Sequence, residues 1–151
     1  ETLLQSAQQL QNIAPDVLFM IVGEGADRAR IESLIAEANL TNVRLIPQQP
    51  REKIPAYINA SDACAVLLKK SDVFETVIPT KMLEFMSCAR PVILGVKGQA
   101  EQILNSARAG LAIEPGNAGA LSQAIMKLRN NPALSTATTV SDVEGPVGVQ
   151  P

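Results

Sequence analysis

The 151 residues, 46% hydrophobic with a formal net charge of -2, fit one domain with a real buried core; a disordered tail, a basic nucleic-acid binder and a polyanion-binding surface are excluded as leading readings. The chain holds no histidine, which removes Ser-His-Asp and Cys-His catalysis and most zinc sites from within it. Its two cysteines, Cys64 and Cys88, lack paired metal-ligand spacing and read as buried free thiols in a reducing cytoplasm. Leu3, Ala7, Leu10 and Ala14 recur one or two helical turns apart, so the chain opens inside an amphipathic helix that Pro15-Asp16 ends. Residues 17–22 are continuously apolar and closed by Gly23-Glu24-Gly25, the pattern of a strand buried on both faces that runs into a tight turn. A helix follows with Ile31, Leu34, Ile35 and Ala38 on one side, then a strand over 43–46 and a helix around 52–59. Next come a buried strand over 63–68, a helix over 79–89, a strand over 92–94, a helix over 100–106, a strand over 111–113 and a helix over 118–129. This alternation predicts an α/β, Rossmann-like three-layer fold: a parallel sheet with helices on both faces. Periodicity stops after Asn131-Pro132, so residues 1–134 form the domain and 135–151, rich in Thr, Val, Gly and Pro, an irregular tail. No signal-like segment and no apolar run near the ~20 residues of a membrane span is present, and the chain reads as a soluble fragment.

The one long internal loop, residues 69–78, leaves the C-terminal end of a strand, the edge where open α/β sheets bind ligands. The turns after the strands, carrying Gly23, Ile46, Lys69, Ile78, Gly95 and Glu114, are expected to converge there. Gly23-x-Gly25 lets a backbone approach a phosphate, but the third position of a dinucleotide fingerprint is Arg28 and no ribose-binding acid follows near 41–44, so a plain turn is the better reading than NAD binding. The richer run is Glu75 to Met86. Met82, Phe85, Met86 and Ala89 share a helical face that packs the core, with Thr80 and Glu84 opposite. An ionised Glu84 can accept two hydrogen bonds from vicinal ribose hydroxyls. The main-chain amides around Val77, Ile78, Pro79 and Thr80, with the Lys81 ammonium, can hold a diphosphate at the positive end of the helix dipole. A solvated Glu and Lys on a surface helix remain equally compatible with these residues alone.

The ordered set Gly23-x-Gly25, Val43-Arg44-Leu45-Ile46-Pro47, Ala60-Ser61-Asp62, Pro79-Thr80-Lys81-x-x-Glu84-x-Met86, Arg90-Pro91-Val92-Ile93, Gly98-x-x-Glu101, Ala109-Gly110-Leu111 and Glu114-Pro115-Gly116-Asn117 resembles the C-terminal half of retaining GT-B glycosyltransferases of the group 1, or family 4, type. Each motif is loose; their order and spacing together are specific, and the resemblance runs from Glu1 to about Leu134. It is nearest to the bacterial exopolysaccharide and O-antigen subgroup. It implies that Glu84 is the second glutamate of the family's paired-Glu motif and binds the donor ribose. The first glutamate falls on Thr76, with Glu75 adjoining, which leaves the donor-sugar contact open at Glu75. Ile46 and Gln49 then lie where such enzymes bind the nucleobase, partly through main-chain groups.

The resemblance further implies a nucleotide-sugar donor, UDP-sugar foremost, a cell-surface polysaccharide or lipid-linked acceptor, and neither metal nor covalent cofactor. The first strand of this domain, with its diphosphate-gripping Arg and Lys, and the whole N-terminal acceptor domain are expected to lie outside the chain. The parent is then a cytoplasmic enzyme, peripheral to a membrane, and the fragment alone is inactive. Exposed apolar surface beside residues 17–22, or its filling by residues 136–149 or by a second copy, would mark the gap. A sugar-nucleotide 2-epimerase and a non-catalytic Rossmann-like binding module are the alternatives.

Overall fold

The computed structural model describes residues 1–69 and 76–136. Helix α1 (Thr2–Leu10) leads to β1 (Phe19–Val22), α2 (Arg28–Glu37) and β2 (Val43–Ile46). A 3-10 turn (Arg51–Lys53), α3 (Ile54–Ala60) and β3 (Cys64–Leu67) come next. Then follow α4 (Thr80–Ser87), β4 (Val92–Gly95), α5 (Gln99–Ser106), β5 (Gly110–Ala112), α6 (Ala118–Asn130) and α7 (Pro132–Thr136). Every strand pair is parallel, as the unbroken apolar runs and the β/α alternation predict.

Side-chain alternation along β4 builds the layers. Val92 and Leu94 face Met82 of α4 and Ala100 and Leu104 of α5, whereas Ile93 faces Leu121, Ala124 and Leu128 of α6. Helices therefore cover both faces of β3–β4–β5, and all four residues of β4, paired on both sides, are buried. On the other half, Leu4, Ala7 and Leu10 of α1 and Ile31, Leu34 and Ile35 of α2 close over Phe19, Ile21 and Val43. Ile125 and Met126 of α6 reach into this second cluster, so α6 serves both halves. The α1–α6 seam also carries a buried polar contact. The hydroxyls of Ser6 and Ser122 lie 2.8 Å apart, and Ser122 donates to Gln9 Oε1 at 2.7 Å. Buried hydroxyls need such partners, because an unpaired one costs about 1–3 kcal/mol.

The strands form two sheets, β1–β2 and β3–β4–β5, and among the described residues no ladder joins β1 to β3. The expectation of burial on both faces for 17–22 is corrected here. The strand starts only at Phe19, Leu18 is 58% exposed, and Phe19 alone within β1 is buried. The physical reason is the alternation itself: Met20 and Val22 point away from the face that α1 and α2 cover, and β1 is paired on one side only. Within 17–22 Leu18 is exposed and Val17, Met20, Ile21 and Val22 are half-buried, while residues 137–149 of the tail alternative lie outside the described residues.

Four further differences are local. The first helix ends at Leu10, although Ala14 is buried beyond it. The helix predicted over 79–89 stops at Ser87, because Ala89 turns left-handed (φ 53) and the Arg90 amide returns to Phe85 O at 3.1 Å, which closes the helix end. Helix α7 occupies the start of what the sequence suggested was tail. Cys64 is buried, its thiol pushed up to about 11 by burial, but Cys88 is only half-buried.

Asp16, in the turn before β1, receives Arg129 Nε and Nη2 at 2.8 Å each and so ties that turn to the end of α6. The hydrogen bond from Arg129, followed by one from its own backbone, holds the Asp16 carboxyl below its ordinary value. A carboxylate lowered by folding stabilises above its unfolded pKa and loses that contribution as pH falls through the lowered one. The tether is therefore full at neutral pH and fades below about pH 4. A carboxyl NMR titration is expected to show the Asp16 midpoint rising in Arg129→Ala. An unchanged midpoint would contradict the pairing.

Candidate functional site

The parallel pairings place the carboxyl ends of the strands on one edge within each sheet. Glu1 heads α1 and accepts a 2.8 Å bond from Arg30 of α2, the helix that leaves the carboxyl edge of β1. That bond is the first cause that holds the Glu1 carboxyl below its ordinary value.

On the β1–β2 half, the Gly23 amide donates to Ile46 O at 3.0 Å, which locks the turn after β1 to the exit of β2. That bond takes one of the two acceptor positions of the Ile46 carbonyl. Gln49 is half-buried and donates through Nε2 to Pro47 O at 3.0 Å, which shapes this loop from within. A Cβ built on Gly23 or Gly25 would meet no described atom within 4 Å, so both glycines border open space.

On the other half, α4 begins after Pro79 without a side-chain cap, and its first-turn amides point back along the helix axis at the positive end of its dipole. Met82 is fully buried, and Phe85 and Met86 pack against the same core. Thr80, Lys81 and Glu84 are exposed on the remaining surface, as the helical spacing predicts. Val77 and Ile78 are exposed ahead of the helix. Glu75 lies outside the described residues. The structure thus brings Gly23 to Ile46, shows no hydrogen bond between Gly25 and Gln49, and separately holds Val77 to Lys81 and Glu84 at and before α4.

Two ionic groups on this edge were not singled out from the sequence as site residues. Lys97, after β4, lies 3.4 Å from Glu101 and 3.6 Å from Glu114. Arg28 pairs with Glu24 at 3.3 Å and Glu32 at 3.0 Å. The i,i+4 spacing of Glu24, Arg28 and Glu32, and of Lys97 and Glu101, was the signal that could have revealed them. Among the described residues, no group of three His, Cys, Asp or Glu side chains is placed to hold a metal ion, and no helix is long and apolar enough to cross a membrane.

The family model described as "Glycosyl transferases group 1" matches residues 1–139. A 2-deoxystreptamine glucosyltransferase of Streptomyces kanamyceticus is 30% identical over 132 residues, which is 86% of this chain and 33% of that protein. Among solved structures, S. aureus TarM, in complex with fondaparinux, alpha-GlcNAc-glycerol and UDP, aligns over 91% of this chain and 27% of its own, with TM-score 0.77 and 22% identity. Anabaena HepE in complex with UDP-glucose aligns over 91% of this chain and 37% of its own, with TM-score 0.76 and 19% identity. At these identities the structures establish the fold. The chain spans 24% to 33% of the length of the curated relatives it matches.

Proposed function

Because the chain belongs to the group 1 glycosyl transferases, we propose that it is the donor-binding half of a retaining, family 4 type enzyme that moves a sugar from a nucleotide-sugar, UDP-sugar foremost, to a polysaccharide or lipid-linked acceptor. The observation that carries the reading is α4: its apolar face is anchored by Met82, while Lys81 in its first turn and Glu84 in its second stand exposed. Glu84 accepts the ribose hydroxyls, and the first-turn amides with Lys81 receive the diphosphate. Charge develops on that diphosphate as the sugar leaves, and fixed donors stabilise it most in the transition state. Glu75 contacts the donor sugar, the loop at Ile46 to Gln49 holds the base, and no cofactor takes part. The UDP and UDP-glucose bound to the TarM and HepE structures support this donor class.

Among the described residues β1 and β3 each have one edge without a ladder, which supports a further part of the reading, that this half works with residues beyond the chain. Helix α1 lies on the covered face of β1, and a right-handed crossover places the strand preceding such a helix beside β1, on the side away from β2. That strand and an acceptor-binding domain complete the enzyme, and the chain alone does not turn over. Calorimetric titration of the 151-residue chain with UDP, GDP and ADP is expected to give saturable binding of one above the others. Binding of none would leave a bare interaction module and end the donor reading.

A further inference from the structure

Arg28 opens α2, yet its side chain turns back over the preceding turn. Nη1 donates to Gly23 O at 3.0 Å and lies 3.3 Å from Glu24, Nε donates to Glu32 at 3.0 Å, and the side chain is only 26% exposed. The Arg28 amide also donates to Gly25 O at 3.0 Å. Gly23 is thus fixed at both ends, its carbonyl by Arg28 and its amide by Ile46 O, with φ at 147. Arginine donates to the carbonyl and the carboxylates from separate nitrogens of a fixed planar fork, whereas a lysine must aim all three of its donors from one nitrogen. Since Glu24 and Glu32 outweigh its single positive charge, the clamped turn is a poor place for a phosphate. A Cβ on Gly23 or Gly25 would meet no described atom within 4 Å, and the Gly23 amide bond to Ile46 O sets this turn beside the exit of β2, where the donor reading places the base.

We infer that Arg28 is a positioning residue: by clamping the Gly23–Gly25 turn to the β2 exit it forms one wall of the nucleobase pocket and sets base discrimination without touching the ligand. This rests on the donor-binding reading above. Hydrogen exchange of the Gly23 to Gly25 amides and calorimetry with UDP, GDP and ADP test it on the 151-residue chain carrying Arg28→Ala, Arg28→Lys or Glu32→Gln. Arg28→Ala is expected to speed exchange at Gly23 and to shrink the preference for the favoured base by about tenfold, with little change in melting temperature. Arg28→Lys recovers little of either, whereas Glu32→Gln, which leaves the Gly23 contact in place, keeps the preference. Should Arg28→Ala not fold, Arg28→Lys is read in the same way. An unchanged ratio of affinities, an equal loss for all three bases, or unaltered exchange at Gly23 overturns the inference while the donor reading stands. A wild-type chain that binds none of the three overturns both.

Discussion

Gly110→Ala is expected to be the most damaging single substitution considered for this fold. Gly110 pairs with Val92 across the β4–β5 ladder, and a Cβ there would overlap the Val92 carbonyl oxygen and lie 2.6 Å from the Val92 amide nitrogen. Both neighbours are main chain of the fully buried central strand, so neither can swing aside as a flexible side chain would. Relief requires separating β5 from β4, which breaks ladder bonds and opens the core around Ile93 and Leu94 together. Overpacking of this kind costs at least about 3 kcal/mol, and for a chain of this size lowers the melting temperature by roughly 10 °C. Gly116→Ala is the internal control. Its Cβ would meet nothing within 4 Å, so only its left-handed φ of 75 penalises the change, by about 1 kcal/mol. Thermal denaturation of the two variants side by side decides the matter. Equal melting temperatures would mean that β5 does not pack against β4 in this register.

Glu84→Gln is expected to weaken nucleotide binding about tenfold to hundredfold, since hydrogen bonds to a charged acceptor are worth about 1.5–3 kcal/mol each. Its main-chain carbonyl already serves the helix, accepting from the Cys88 amide at 3.2 Å and Ser87 Oγ at 2.8 Å, but the side chain is exposed and the core needs nothing from it. Stability should therefore move by only about 0.5 kcal/mol. The two readouts separate the alternatives that the sequence left open. A solvated helix residue predicts no change in either calorimetric affinity or melting temperature, whereas a ribose-binding carboxylate predicts a change in the first alone. An unchanged affinity in a chain that still binds nucleotide would remove Glu84 from the site.

Much of the fold was legible because buried parallel strands leave an unmistakable trace. The apolar run after Pro91 and the regular spacing from Leu121 to Leu128 fix β4 and α6 with little ambiguity. The misreading at β1 arises because apolar character does not report pairing. Val17 and Leu18 look like the start of β1, yet the neighbour that would bury them is absent from the described residues. Pro132 reads as a stop in the sequence, whereas proline is also well suited to the first turn of a helix, where α7 uses it. Among the candidate site residues, the exposure of Glu84 and Lys81 was legible from the helical spacing, and the turn at Gly23 from its place after an apolar run. Arg28 reads in the motif as a departure from the third glycine, while its i,i+4 spacing from Glu24 and Glu32 is the trace of the clamp.

The seam between α1 and α6 has a consequence for how the protein is made. Ser6 and Ser122 are separated by 116 residues. A ribosome adding about 5–20 residues per second therefore leaves α1 without that partner for roughly ten seconds. During that interval β1, β2 and α2 can gather around Leu4 and Leu10, but the side of α1 that meets α6 stays open to solvent and to other nascent chains. Chaperone engagement during synthesis should accordingly end when α6 clears the exit tunnel, and not when the first strand pair forms.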